Sequence, residues 1–145
     1  RHLPKDLAAT IVTHSPSIAV ELVNYPNIEV IMIGGRLFKH SVVTVGAAAI
    51  ESIKTIRADL YFMGVTGIHI DAGLSTGDLE EAHVKRALSQ SAAETIVLAS
   101  AEKINAASPY VIAPVSEISG LITEQGISEE ILEPYRQLGI TLIQA

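Results

Sequence analysis

Five short apolar runs, rich in β-branched residues, recur along the chain at Ala9–Thr13, Ile28–Ile33, Leu60–Val65, Thr95–Ala99 and Ile140–Ile143. Several are apolar at successive positions, the pattern of strands in a parallel sheet covered on both sides by helices. Tyr110–Pro114 and Gly120–Glu124 are weaker strand candidates. Helical patterns fall between the runs. In residues 15–25, Ile18, Ala19, Leu22 and Val23 share a face; in residues 46–56, Ala49, Ile50, Ile53 and Ile56 do so. Residues 78–92 place Val84, Ala87 and Leu88 together. Residues 128–139 begin at a cap, Ser128, and stop at Gly139, and Pro134 predicts a kink or a helix that starts there. Strand and helix in alternation specify an α/β domain with a mainly parallel sheet flanked by helices.

Length and composition narrow the function. A chain of 145 residues, 48% apolar, fits one domain with a substantial core. Aromatic residues are few, so that core is aliphatic. The net charge of −6 disfavours DNA binding by this segment alone. With no cysteine, thiolate and disulfide chemistry are excluded, and a cytoplasmic setting is compatible. No apolar run approaches the ~20 residues of a membrane span. The five histidines have no metal-ligand spacing, and no cofactor motif is present. No internal repeat or linker is visible. The first residue is not Met, so the chain is read as a piece of a longer protein.

Ligands of open parallel sheets sit beyond the carboxyl ends of the strands. The residues there are Thr13, His14 and Ser15; Gly34, Gly35 and Arg36; the loop from Thr66 to Thr76; and Ser100 to Asn105. They offer hydroxyls, backbone N–H groups and the cations Arg36 and Lys103. That set suits an anionic, hydroxylated small molecule such as a sugar phosphate. Each residue also has a plainer explanation. The glycines can serve turns and close packing. Glu81 stands three residues after Asp78, the spacing of a capping box. Lys85 stands four after Glu81, the spacing of an intrahelical ion pair. Arg36 suits a solvated position and Asp59 a turn cap. Of the histidines, only His14 stands where a ligand would.

In order, "IVTHSPSIAVEL", "IEVIMIGGRL", "TVGAAAIESIKTIRADLYFMGVTGIHIDAGLST", "EEAHVKRAL" and "IVLASAEKINAASPYVIAPVSEISGLITE" resemble the C-terminal effector-binding domain of DeoR-family bacterial transcription regulators. The most specific parts are Gly34–Gly35, the block Asp59, Phe62, Gly64, Gly67, and the pair Glu81 and Lys85. The resemblance implies a fold similar to ribose-5-phosphate isomerase and CoA transferases. It implies a sensor that binds a phosphorylated sugar or related metabolite through Thr13, His14, Ser15, Gly34, Gly35, Gly64, Gly67, Glu81, Lys85 and Lys103. It implies a homo-oligomer that contacts DNA only through an N-terminal winged helix-turn-helix, absent here together with the family's first strand and phosphate loop. His14 replaces the family's usual asparagine, and Ser100 its usual aspartate, with Glu102 before Lys103. The other reading is a sugar-phosphate isomerase or transferase-like enzyme, with Glu81 as base.

Overall fold

The structure is a computed structural model that describes residues 2–145, and the chain divides into two compact units, residues 1–55 and 56–145.

The first unit runs β1 (Ala9–Thr13), α1 (Pro16–Leu22), β2 (Ile28–Met32), β3 (Arg36–Phe38), β4 (Val43–Val45) and α2 (Ala47–Ile53). β1 and β2 pair in parallel, with Ala9 opposite Ile28 and Thr13 opposite Met32. α1 begins where the sequence dictates. Ser15 is its N-cap, the hydroxyl accepts from the Ile18 N–H at 3.3 Å, and Pro16 occupies the first turn, where its missing N–H costs nothing. Leu22, Tyr25 and Ile28 form a small core with Leu7, Ile11 and Val30 around them.

The second unit runs β5 (Ala58–Gly64), β6 (Gly67–His69), β7 (Gly73–Thr76), α3 (Leu79–Ser91), β8 (Ala92–Leu98), β9 (Tyr110–Ala113), β10 (Gly120–Thr123), α4 (Glu129–Gln137) and β11 (Thr141–Gln144). Four of these strands make a parallel sheet in the order β11-β10-β8-β5. β6, β7 and β9 make a small antiparallel sheet beside it in sequence, with a register shift at Leu74/Ser75. Met63, Val97 and Leu121 point from the parallel sheet into one core with Ala82 of α3 and Leu132 and Tyr135 of α4. The opposite face of the same strands carries Leu60, Phe62, Leu98 and Ile143, all exposed. The helices of this unit therefore cover one side of its sheet, although the strands read as apolar on both.

The seven expected strands and four expected helices are all present, with ends moved by a few residues. Pro134 neither starts nor ends α4; it sits inside a helix that begins at Glu129. Two hairpins were not anticipated, β3–β4 and β6–β7. Arg36 is thus a strand residue, and the "loop" from Thr66 to Thr76 is mostly an antiparallel hairpin. With them a recurrence appears that the sequence hides. In each unit a strand (β2, β5) runs to a glycine, turns through a hairpin and enters a helix (α2, α3).

Candidate functional site

The carboxyl end of β5 gathers the polar groups of the second unit. The Lys85 Nζ donates to the Gly64 carbonyl at 2.7 Å. Lys85 projects from α3, whose start is fixed by Asp78: its carboxylate accepts from the Glu81 N–H at 3.0 Å. Glu81 is 8% exposed and stands one turn before Lys85. Burial holds the Lys85 ammonium below its usual range; the Glu81 charge acts against that shift and the Lys103 charge adds to it. Burial, reinforced by the Glu81 charge, holds the phenol of the partly buried Tyr61 far above its usual range. Glu81 therefore acts on both Lys85 and Tyr61, and Lys103 acts on Lys85.

Lys103 ends a single 3-10 turn, Ala101–Lys103, that follows β8, the parallel neighbour of β5. Glu124 accepts from the Ala101 N–H at 2.7 Å at the start of that turn. The Ser100 hydroxyl donates to Glu102 at 2.6 Å, which lowers the Glu102 carboxyl below its usual range. Ser100 thus orients a carboxylate two positions on. Beyond Lys103, Asn105 adopts a left-handed backbone (φ 65°) and its N–H donates to the Ile68 carbonyl at 2.7 Å. The Tyr135 hydroxyl, on fully buried Tyr135 of α4, donates to Asn105 Oδ1 at 2.7 Å and lies 3.2 Å from the same Ile68 carbonyl. Thr66 and Ser108 share a hydrogen bond, and the Ser108 N–H donates to Ser75 Oγ at 2.8 Å.

The two glycines of this stretch have different roles. A Cβ on Gly67 would lie 2.5 Å from the Ala106 carbonyl oxygen and 2.8 Å from Ser75 Oγ, so close backbone approach demands glycine there. A Cβ on Gly64 would meet no atom within 4 Å. That open side of Gly64 is the face it shares with Leu60, Phe62 and Leu98, opposite the core. His69 serves the hairpin: its Nδ1 accepts from the Asp71 and Ala72 N–H groups at 3.0 and 3.1 Å.

In the first unit the sequence-predicted residues are mainly engaged in the fold. Thr13 and Ser15 are 6% and 9% exposed. Thr13 Oγ1 accepts from the Ser15 N–H at 3.0 Å, and Ser15 caps α1. The His14 carbonyl accepts from the Thr44 N–H at 2.8 Å. Gly35 meets the Val45 carbonyl oxygen at 2.8 Å from an ideal Cβ, whereas Gly34 has nothing within 4 Å. The structure thus brings Gly64, Glu81, Lys85 and Lys103 into one neighbourhood, and gives Thr13, Ser15, Gly35 and Gly67 local structural duties. Tyr61, Ser108, Asn105 and Tyr135 were not singled out by sequence. Only the spacing of Tyr61, three before Gly64, was available as a signal. Among the described residues, no group of three carboxylate, histidine or cysteine side chains could hold a metal ion. No described helix is long and apolar enough to cross a membrane.

The parallel sheet of the second unit thus carries cations and a carboxylate at its carboxyl end. Residues 1–125 match the family described as the DeoR C terminal sensor domain, and the chain belongs to that family. It is 30% identical over 143 residues to the HTH-type transcriptional regulator GlpR of Haloferax volcanii, covering 99% of this chain and 56% of that protein. It is 30% identical over 134 residues to the HTH-type transcriptional repressor GlcR of Bacillus subtilis (92% and 52%). It is 29% identical over 131 residues to the HTH-type transcriptional regulator GolR of Listeria innocua (90% and 52%). The chain spans about half the length of the curated relatives it matches.

Proposed function

We propose that this chain is the effector-sensing part of a cytoplasmic transcriptional repressor of carbohydrate metabolism, and that its effector is a phosphorylated sugar or a close relative. The observation that carries the reading is the Lys85–Gly64 contact at 2.7 Å, with the Lys103 and Glu81 charges acting on the same ammonium. Lys103 and Lys85 supply charge for a phosphate, and Glu81 accepts from a sugar hydroxyl. Gly64 lets the ligand lie against the strand end. Gly67, Gly35, Thr13 and Ser15 serve the fold around it, and His14 and Gly34 are the remaining ligand candidates of the first unit. The net charge of −6 supports DNA contact by a separate helix-turn-helix segment in the parent protein, which acts as a homo-oligomer.

A thermal-shift screen of sugar phosphates, each beside its unphosphorylated sugar, tests this. A ligand bound only by the native state raises stability by RT ln(1 + [L]/Kd). At least one phosphorylated sugar should raise the melting temperature where its free sugar does not. Equal response to both, or to none, removes the phosphate from the reading. Steady isomerase turnover on pentose phosphates, lost in Glu81→Gln, would replace the sensor with the enzyme.

A further inference from the structure

We propose that Tyr135 of α4 is a positioning residue of the sensor site: acting through Asn105, its hydroxyl latches the turn that carries Lys103, so that this cation stands in place before a phosphate arrives. The inference rests on the anion site proposed above. The turn Ala101–Lys103 has few internal hydrogen bonds of its own, and it is tied at both ends. Before it, the exposed Glu124 holds the Ala101 N–H. After it, the chain is fastened to β6 in the interior. Ile104 is 8% exposed and bridges Ile68, and the Asn105 N–H donates to the Ile68 carbonyl at 2.7 Å.

Asn105 holds a left-handed backbone, which a side chain disfavours and which asparagine tolerates because its short amide can hydrogen-bond. The Tyr135 hydroxyl supplies that bond at 2.7 Å; the Ile68 carbonyl, at 3.2 Å, is the weaker acceptor of the same proton. Tyr135 is fully buried, so close packing fixes its ring. A packed helix therefore reaches through the core to a point two residues past Lys103. The latch opposes a force. The Lys103 charge disfavours the Lys85 ammonium, so the two cations repel, and that repulsion drives an untied turn outward. With the turn latched, an arriving anion meets both cations with little reorganisation.

The test combines hydrogen exchange by mass spectrometry, without ligand, with calorimetric titration of inorganic phosphate at constant ionic strength. It compares wild type, Tyr135→Phe, Asn105→Gly, the double variant and Ile118→Val. Ile118 is a buried core residue just before β10, at the other end of the parallel sheet from Lys103. Peptides spanning residues 101–108 should exchange about fivefold faster in Tyr135→Phe and in Asn105→Gly, and both should bind phosphate about fivefold more weakly, the scale of one neutral hydrogen bond. The double variant should lose no more than Asn105→Gly alone. Ile118→Val should melt earlier yet keep wild-type exchange in the turn and wild-type affinity. Unchanged exchange in Tyr135→Phe overturns the latch. Equal weakening in Ile118→Val makes the role merely structural, and additive losses in the double variant overturn the route through Asn105. If the turn loosens while phosphate binds as in wild type, the positioning role fails and the anion site stands. If wild type binds no phosphate, both fail.

Discussion

In both units a strand runs to a glycine, turns through an antiparallel hairpin and enters a helix, but the two helices begin differently. α2 starts at Gly46, with φ of 97°, no side-chain cap and three alanines in its first turn. It is held by burying Ala49 and Ile53. α3 starts at Asp78 with a side-chain cap, carries Glu80 and Glu81 in its first turn, and places Lys85 against Gly64. The same backbone course is thus held by packing in one case and, in the other, equipped with charges at the strand's carboxyl end. A common supersecondary pattern fixes where a site can be. The helix's first two turns decide whether it is one.

The comparison breaks most visibly at the glycines. Gly67→Val should destabilise by roughly 3 kcal/mol, the upper end of overpacking costs, because its Cβ would strike backbone. Gly64→Ala should alter stability by no more than about 0.5 kcal/mol, yet weaken ligand. Denaturant melts of the two variants check this, and equal loss in both would make Gly64 structural. Tyr135→Phe removes the hydroxyl that Asn105 and the Ile68 carbonyl share; about 1–2 kcal/mol should go, measured by urea unfolding. Asp78→Ala should cost about 1 kcal/mol through the lost cap on α3. α2 has no such cap to lose, so a serine replacing Ala47 should leave melting nearly unmoved.

The smallest effect concerns pH. The folded state lowers the Lys85 pKa from its ordinary 10.5, so between the two values the unfolded chain binds more protons. Stability contributed at this site therefore rises with pH through that window and is lowest where Lys85 is charged in both states. Chemical melts across alkaline pH should show the rise, and Lys85→Met should flatten it.

How much of this the sequence could show depended on element length. Runs such as Ile28–Ile33 and Leu60–Val65 are long enough to declare themselves as strands, and Asp78 with Glu81 three residues on declares a helix start. The hairpins were hidden because three-residue strands such as Arg36–Phe38 and Gly67–His69 are too short to show a period. Spacing put Lys85 opposite Glu81, but only the folded chain shows its ammonium on a carbonyl 21 residues away. Likewise nothing in the order of residues separates Gly64, with open space beside it, from Gly67, which packing requires. The bond between Tyr135 and Asn105 joins positions 30 apart and leaves no local trace.

The central claim is that Lys103 and Lys85, at the carboxyl ends of β8 and β5, rather than any residue of the first unit, bind the phosphate of the effector. The most direct measurement is calorimetric titration of the tightest sugar phosphate from the screen into wild type, Lys103→Ala and His14→Ala. Lys103→Ala should weaken binding by about 1.5–3 kcal/mol, the scale of a charge-assisted hydrogen bond, and His14→Ala by much less. Wild-type affinity in Lys103→Ala, with the loss appearing in His14→Ala instead, would contradict the account.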